Sequence, residues 1–196
     1  LSPQSAARYF EKLYKDIPNN ENKYAYISAL ESNGQTDQAL DAMNAILNKF
    51  PKNLILNITK SEILLSGQRL DEAMDNIEKV LNISPGNYPA SIIKAKILSS
   101  KKEFIKAEEI LRDLLIRKNR DPGLWMQLSE IQRAGKNIVG YHLSRGEYYT
   151  LIGDFDNALN QFQFALSLSG NSFQTSETIM TKINLAKDRL GKRRGF

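Results

Sequence analysis

Apolar side chains recur along this chain at helical spacing, three and four positions apart, in segments separated by short polar turns that hold Gly, Asn or Pro. Three of these segments align on one another: NGQTDQALDAMNAIL, SGQRLDEAMDNIEKVL and SKKEFIKAEEILRDLL. Anchored on Ala39, Ala73 and Ala107, they repeat every 34 residues. Four positions after each Ala stands Met43, Ile77 or Leu111, and seven after stands Ile46, Val80 or Leu114. Those offsets place all three on one helical face with the Ala. Twelve positions after the first two anchors come Pro51 and Pro85, which stop one helix and open the next turn. Nine before come Leu30, Leu64 and Leu98; twelve before come the small residues Ser61 and Ala95, with Ser129 a further period on. A small side chain there lets the two helices of a pair approach closely.

A 34-residue unit of two helices with this Ala, apolar and Pro spacing resembles the tetratricopeptide repeat (TPR). The match is loose in the first helix of each unit and firm in the second. Upstream, Pro18 points to a second helix carrying Ala6, Phe10 and Leu13. Downstream, GDFDNALNQFQFAL repeats the motif with Ala158, Phe162 and Ala165, but 51 residues after Ala107, one and a half periods rather than one. An extra helix is therefore expected at 121–135, with Asp121 as N-cap and Pro122 in the first turn. A helix running through Tyr149 should follow, and 172–190, with Ile179, Ile183, Ala186 and Leu190, should cap the last apolar face. The expected fold is an all-α, TPR-like α-α superhelix (a solenoid) with an extra helix and a C-terminal capping helix, one domain over 1–196.

Composition narrows the function. An apolar share of 41% and a charged share of 25% suit a folded globular chain. The most apolar stretches, 54–58 and 63–65, are far shorter than the ~20 residues a membrane span needs. No cysteine is present, which removes disulfides, thiolate zinc sites and thiol catalysis. Of the formal charge of +5, three come from Lys192, Arg193 and Arg194. The excess thus reads as a solvated basic tail, and no nucleic-acid partner is expected. The N-terminus LSPQSAARYF has neither an initiator Met nor a signal-peptide pattern, which fits a fragment of a longer chain.

Catalytic constellations are missing from the pattern. There is one histidine, His142, no H-E-x-x-H, and no glycine-rich phosphate loop. The carboxylate pairs Glu108/Glu109 and Asp71/Glu72 read as solvated helix faces, His142 as a packing or surface residue, and Trp125 as a core residue at a seam between repeats. No cofactor or metal is expected in this chain. Stacked helix pairs instead offer a surface lined by their first helices. Projecting the repeat onto it gives Tyr24, Ser28 and Glu31; Ile58, Glu62 and Leu65; Ile92, Lys96 and Ser99; and Met126, Glu130 and Arg133. The reading is an apolar strip of Ile58, Ile92 and Met126 rimmed by both charge signs, suited to docking a polypeptide segment.

The C-terminal third carries a sharper signal. Trp125, His142, Glu147, Tyr148, Tyr149, Gly153, Asp154, Ala158, Gln161 and Ala165 fall in a stretch, 121–168, that resembles the end of the TPR domain in bacterial periplasmic zinc metalloproteases of the beta-barrel assembly-enhancing type. Gly146 stands where that family usually has Ala. The resemblance implies a module that follows a metallopeptidase domain in the periplasm, partners that domain, and helps engage outer-membrane assembly machinery or its unfolded substrates. Zinc would then belong to the absent protease part. The alternative is a stand-alone TPR adaptor, cytoplasmic and unconnected with proteolysis.

The repeat register makes one direct prediction. Ala73→Leu forces extra volume into a helix pair and should destabilise the fold by about 1–3 kcal/mol. Urea unfolding checks it, and an unchanged midpoint would place the register wrongly.

Overall fold

The computed structural model describes residues 2–170 and 172–194, with side-chain surroundings given as far as Lys192. Eleven α-helices and no strand occur among them. The chain divides into two compact units, Leu1–Lys101 and Lys102–Phe196. The first holds α1 (Pro3–Asp16), α2 (Asn20–Ser32), α3 (Thr36–Leu47), α4 (Leu54–Ser66), α5 (Leu70–Ile83) and α6 (Tyr88–Ser100). The second holds α7 (Phe104–Arg117), α8 (Pro122–Ala134), α9 (Ile138–Leu151), α10 (Phe155–Leu168) and α11 (Phe173–Arg194). Within each unit every helix packs on the next one in sequence.

Two local devices set this rhythm. The side chains of Asn19, Asn53, Asn87 and Asp121, each 34 residues from the last, accept hydrogen bonds from the free amides of the following turn and start α2, α4, α6 and α8. Each such cap is worth about 1 kcal/mol. The second device is a left-handed residue that ends these helices: Gly34, Gln68, Lys102 and Lys136 have φ of 72°, 59°, 63° and 59°, and Gly170, a further period on, has 60°. Next to it the chain folds back through paired bonds, Gly34 N to Glu31 O and Gln35 N to Leu30 O, both 2.9 Å. The same pair closes the turns at Gln68, Lys136 and Gly153. Gln68, Lys102 and Lys136 hold a conformation that is free only to glycine and costs other residues about 1–2 kcal/mol.

Between caps and turns, the anchor residues meet. Ala39, Ala73, Ala107 and Ala158 are fully buried, as are Met43, Ile77 and Leu111 four positions on. Ser61, Ala95 and Ser129 are fully buried too, and the two serines bond within their own helices, to Asn57 O and Met126 O. In the first unit, Asn76 of α5 reaches across to Asn57 O (2.6 Å) and Ser61 Oγ (2.8 Å), stapling the α4–α5 pair. The extra helix appears as α8, with Asp121 accepting from Gly123 and Leu124. Helix α11 covers the second unit's last apolar face with Ile179, Ile183 and Ala186. It runs through Lys192 to Arg194, so the backbone of the basic stretch 192–194 is helical. The side chains of Arg193 and Arg194, and residues 195 and 196, lie outside the described residues.

Three expectations shift by a residue or a layer. The buried alanine of α1 is Ala7, not Ala6; it shares a helical face with Tyr14, whose ring stacks on that of Tyr26 of α2 at 6.4 Å. In α7, Leu115 is buried and Leu114 only half-buried. Trp125 is half-buried, its indole N–H donating to Asn119 O at 2.8 Å, which ties the start of α8 to the preceding loop.

Gly146 explains the closeness of α9 and α10. A Cβ placed there would lie 2.2 Å from a ring carbon of Phe162, a buried side chain with nowhere to swing. Gly146→Ala gains about 1 kcal/mol of helix propensity and meets an overpacking cost of about 1–3 kcal/mol. Net destabilisation of roughly 1 kcal/mol is expected in urea unfolding, and in a Phe162→Leu background, where the ring is gone, the same Gly146→Ala change should cost less. A stabilised single variant would show that the ring is free to move.

Candidate functional site

In the first unit the first helices α2, α4 and α6 present most of the residues expected to bind a partner. Tyr24 is exposed, with its hydroxyl 3.3 Å from Thr59 Oγ1. Ser28 and Lys96 are exposed, and Ile92, Leu65 and Ser99 half-buried. Glu31 accepts a 2.8 Å bond from Ser66 Oγ. Ile58 requires a correction: it is 8% exposed and belongs to the core with Ile27, Leu30 and Ile63. Its position near the middle of α4 turns it toward the neighbouring helices, so it offers no open apolar anchor. What these first-helix residues offer is a mostly polar face with Tyr24, Leu65 and Ile92 as its partly open apolar members.

Glu62 is the electrostatic centre of that face. It is half-buried on α4, and burial pushes its carboxyl above the usual carboxylate range. The negative charge of Glu31 pushes the same way, and Lys96 opposes both.

In the second unit, Met126 is half-buried and its thioether is engaged: Arg145 Nη1 donates to Met126 Sδ at 3.0 Å. Arg145 Nη2 donates to Tyr149 Oη at 2.8 Å. The guanidinium carbon lies 5.1 Å from the Tyr149 ring centroid and 5.9 Å from that of Tyr148. Its Nε is buried and has no hydrogen-bond partner among the described residues. Met126 is therefore held by a cation and is no free anchor. Glu130 and Arg133 are exposed and bonded to each other at 2.8 Å, as rim charges are. Sequence reasoning missed Arg145. The signal was the i, i+4 spacing of Arg145 and Tyr149 on one helix, with Tyr148 between them.

Other groups of chemically capable type find structural partners. Glu108 is not a solvated carboxylate: its side chain is 13% exposed, and it accepts from Gln132 Nε2 (3.1 Å), Asn137 Nδ2 (3.3 Å) and Arg112 Nη2 (3.3 Å). Ser144 in turn donates to Gln132 Oε1 at 2.7 Å, so one buried network joins α7, α8 and α9. A 24-residue separation hid this contact from the sequence. Glu109, Asp71 and Glu72 are exposed, the last two paired with Lys101 (2.6 Å) and Arg69 (2.7 Å). His142 Nδ1 lies 2.8 Å from Gln161 Oε1, and its ring packs against Tyr141 and Phe164. Among the described residues no three His, Cys, Asp or Glu side chains gather as a metal site would need, and no helix is long and apolar enough to cross a membrane.

The fold is shared with known structures. A tetratricopeptide repeat protein from Parabacteroides merdae is 18% identical and superposes with a TM-score of 0.58, covering 94% of this chain and 78% of that one. A thermophilic TPR protein of Thermus thermophilus is 19% identical with a TM-score of 0.55, covering 92% and 90%. MamA from Desulfovibrio magneticus, residues 41 to the end, is 14% identical with a TM-score of 0.57, covering 93% and 96%. At these identities the likeness shows the fold alone: an all-α, TPR-like array of helix pairs. No protein-family model and no curated protein matches the chain.

Glu62 makes the stability of the fold depend on pH. Its carboxyl is held above the ordinary 4.5 in the folded chain, so the folded state binds its proton more readily than the unfolded one. That contribution is fully present below the unfolded value and is lost as pH rises through the folded value. Glu62→Gln should therefore raise stability at pH 7, and its advantage should shrink as pH falls through the raised folded value and be gone below the ordinary 4.5. Urea midpoints of both chains across about pH 3–8 measure it; a variant less stable at pH 7 would show that the carboxylate is well compensated.

Proposed function

We propose that the chain is a protein-interaction module that binds a polypeptide segment over its first-helix faces and performs no chemistry of its own. The observation that carries this is the first-helix face itself: Tyr24, Ser28 and Lys96 are exposed on α2 and α6, and between Glu31 and Lys96 lies Glu62, a half-buried carboxylate whose ionised form burial disfavours. A face kept polar at a cost to stability fits a surface selected for a partner. The TPR-like fold supports the same reading, since stacked helix pairs present such faces in series.

The finer proposal is that this module serves a periplasmic zinc metalloprotease resembling the beta-barrel assembly-enhancing protease, in outer-membrane protein assembly and quality control. Its support is the stretch 121–168. Within that stretch Gly153 and Asp154 form a left-handed turn and N-cap, Ala158 and Ala165 are buried, and His142 bonds Gln161. Zinc and the catalytic groups would be supplied by the protease part.

Photo-cross-linkers placed at Ser28 and Lys96 should capture a polypeptide in the cell envelope. Ile92→Ser should weaken that capture several-fold with little change in urea unfolding. Ile58→Ser, in the core, should instead lose stability on the scale of about 2–5 kcal/mol. If Ile92→Ser unfolds as early as Ile58→Ser, the face is part of the core. The protease link is tested separately: a gene whose product carries no signal peptide and no H-E-x-x-H upstream of Leu1 leaves the stand-alone adaptor in its place.

A further inference from the structure

A second candidate surface is built within the second unit alone. In the second unit, a cleft of about 510 Å³ is lined by Arg120 of the α7–α8 loop, by Glu147, Thr150 and Leu151 of α9, and by Lys182, Leu185 and Arg189 of α11, with Phe162 and Ala186 at its floor. Three cations thus face one carboxylate, and that carboxylate, Glu147, is already ion-paired with Lys182. Arg120 and Arg189 are exposed and have neither ion-pair nor hydrogen-bond partner among the described residues. Leu185, a large apolar side chain on a helix that otherwise caps the unit, is 59% exposed. Two uncompensated guanidinium groups, an exposed leucine and an apolar floor therefore share one cleft. Its size lies in the ordinary range of binding pockets, ~300–1,000 Å³.

We propose that this cleft is a docking site for an acidic polypeptide segment in which carboxylates alternate with an apolar side chain. The carboxylates pair with Arg120 and Arg189, whose planar guanidinium groups bind carboxylates bidentately. The apolar side chain covers Leu185 and reaches toward Leu151 and Ala186. Charge complementarity selects the occupant. A basic segment is repelled by the two free arginines. Nucleic acid is disfavoured because the lining offers no exposed ring on which a base could stack: its single aromatic, Phe162, is 2% exposed. This inference rests on the reading of the chain as a polypeptide-binding module, and it adds a second surface together with the chemistry of what binds there.

The test is fluorescence anisotropy on the full chain at low salt. The probes are a labelled peptide alternating Glu with Leu, the same peptide with Lys for Glu, and single-stranded oligothymidylate. The Glu/Leu peptide should bind, more weakly as salt rises, and the Lys peptide should not. Arg120→Glu with Arg189→Glu should weaken the Glu/Leu peptide at least tenfold, and the milder pair Arg120→Gln with Arg189→Gln should weaken it by less. Lys12→Glu with Lys79→Glu makes the same change in net charge on exposed residues of the first unit and should leave affinity within twofold. Circular dichroism confirms that each variant is folded. Equal losses in the two charge-reversed pairs, or oligothymidylate that binds the cleft more tightly than the peptide, would overturn the proposal. So would a Glu/Leu peptide that binds no better than its Lys counterpart; envelope cross-links at Ser28 and Lys96 would then still stand, and the loss would fall on the cleft alone. Absent cross-links with intact cleft binding would locate the failure on the first-helix face.

Discussion

The close approach of paired helices at a fully buried alanine is the constraint on which the rest of this structure depends. Ala39, Ala73, Ala107 and Ala158 leave no accessible surface. Each sits where a longer side chain would push two helices apart, and interiors packed at crystal-like density have no slack to absorb it. Around each alanine the apolar partners Met43, Ile77, Leu111 and Phe162 fill the remaining space. Burying a side chain of that size contributes roughly 1.5–3 kcal/mol. The repeat thus concentrates its stability at one recurring crossing and leaves the outer faces of its helices free to vary.

That freedom is used differently in the two units. The first carries the half-buried carboxylate Glu62 beside Lys96 on its first-helix face. The second gathers its charge elsewhere: Arg145 is clasped by Met126 and Tyr149, while Arg120 and Arg189 stand at the cleft beside α11. The spacing of helices is common to both units, so the difference lies in the side chains that the spacing does not constrain. The period is structural, and the chemistry of the surface is written between its fixed positions.

The half-period slip of the C-terminal motif also has a simple geometry. Helices α2 to α9 begin at positions that keep the 34-residue rhythm, and the left-handed turns at 34, 68, 102, 136 and 170 keep it as well. What moves is the motif itself, which lands on α10 after an added left-handed turn at Gly153. Helix α9, with Gly146 against Phe162, then takes the role of close partner to α10. The half-step shift is accommodated because each helix with its turn occupies about the same length of chain.

The helices, their pairing and the buried stripe are legible along the chain, because they follow from local rules: period-3.6 apolar spacing, Asx caps, and small residues at fixed offsets. The caps Asn19, Asn53 and Asn87 are as legible as Asp121, by the same 34-residue spacing. Which first-helix residues stay open is settled only when the helices pack. Ile58 and Ile92 hold equivalent positions in the repeat, yet one is core and the other half-buried, since exposure depends on how neighbouring helices close over a position. The contacts of Glu108 with Gln132 and Asn137, of Arg145 with Met126, and the meeting of Arg120 with Arg189 join residues 19 to 69 positions apart. Spacing along one helix carries no information about such pairs, which exist only once the helices have packed.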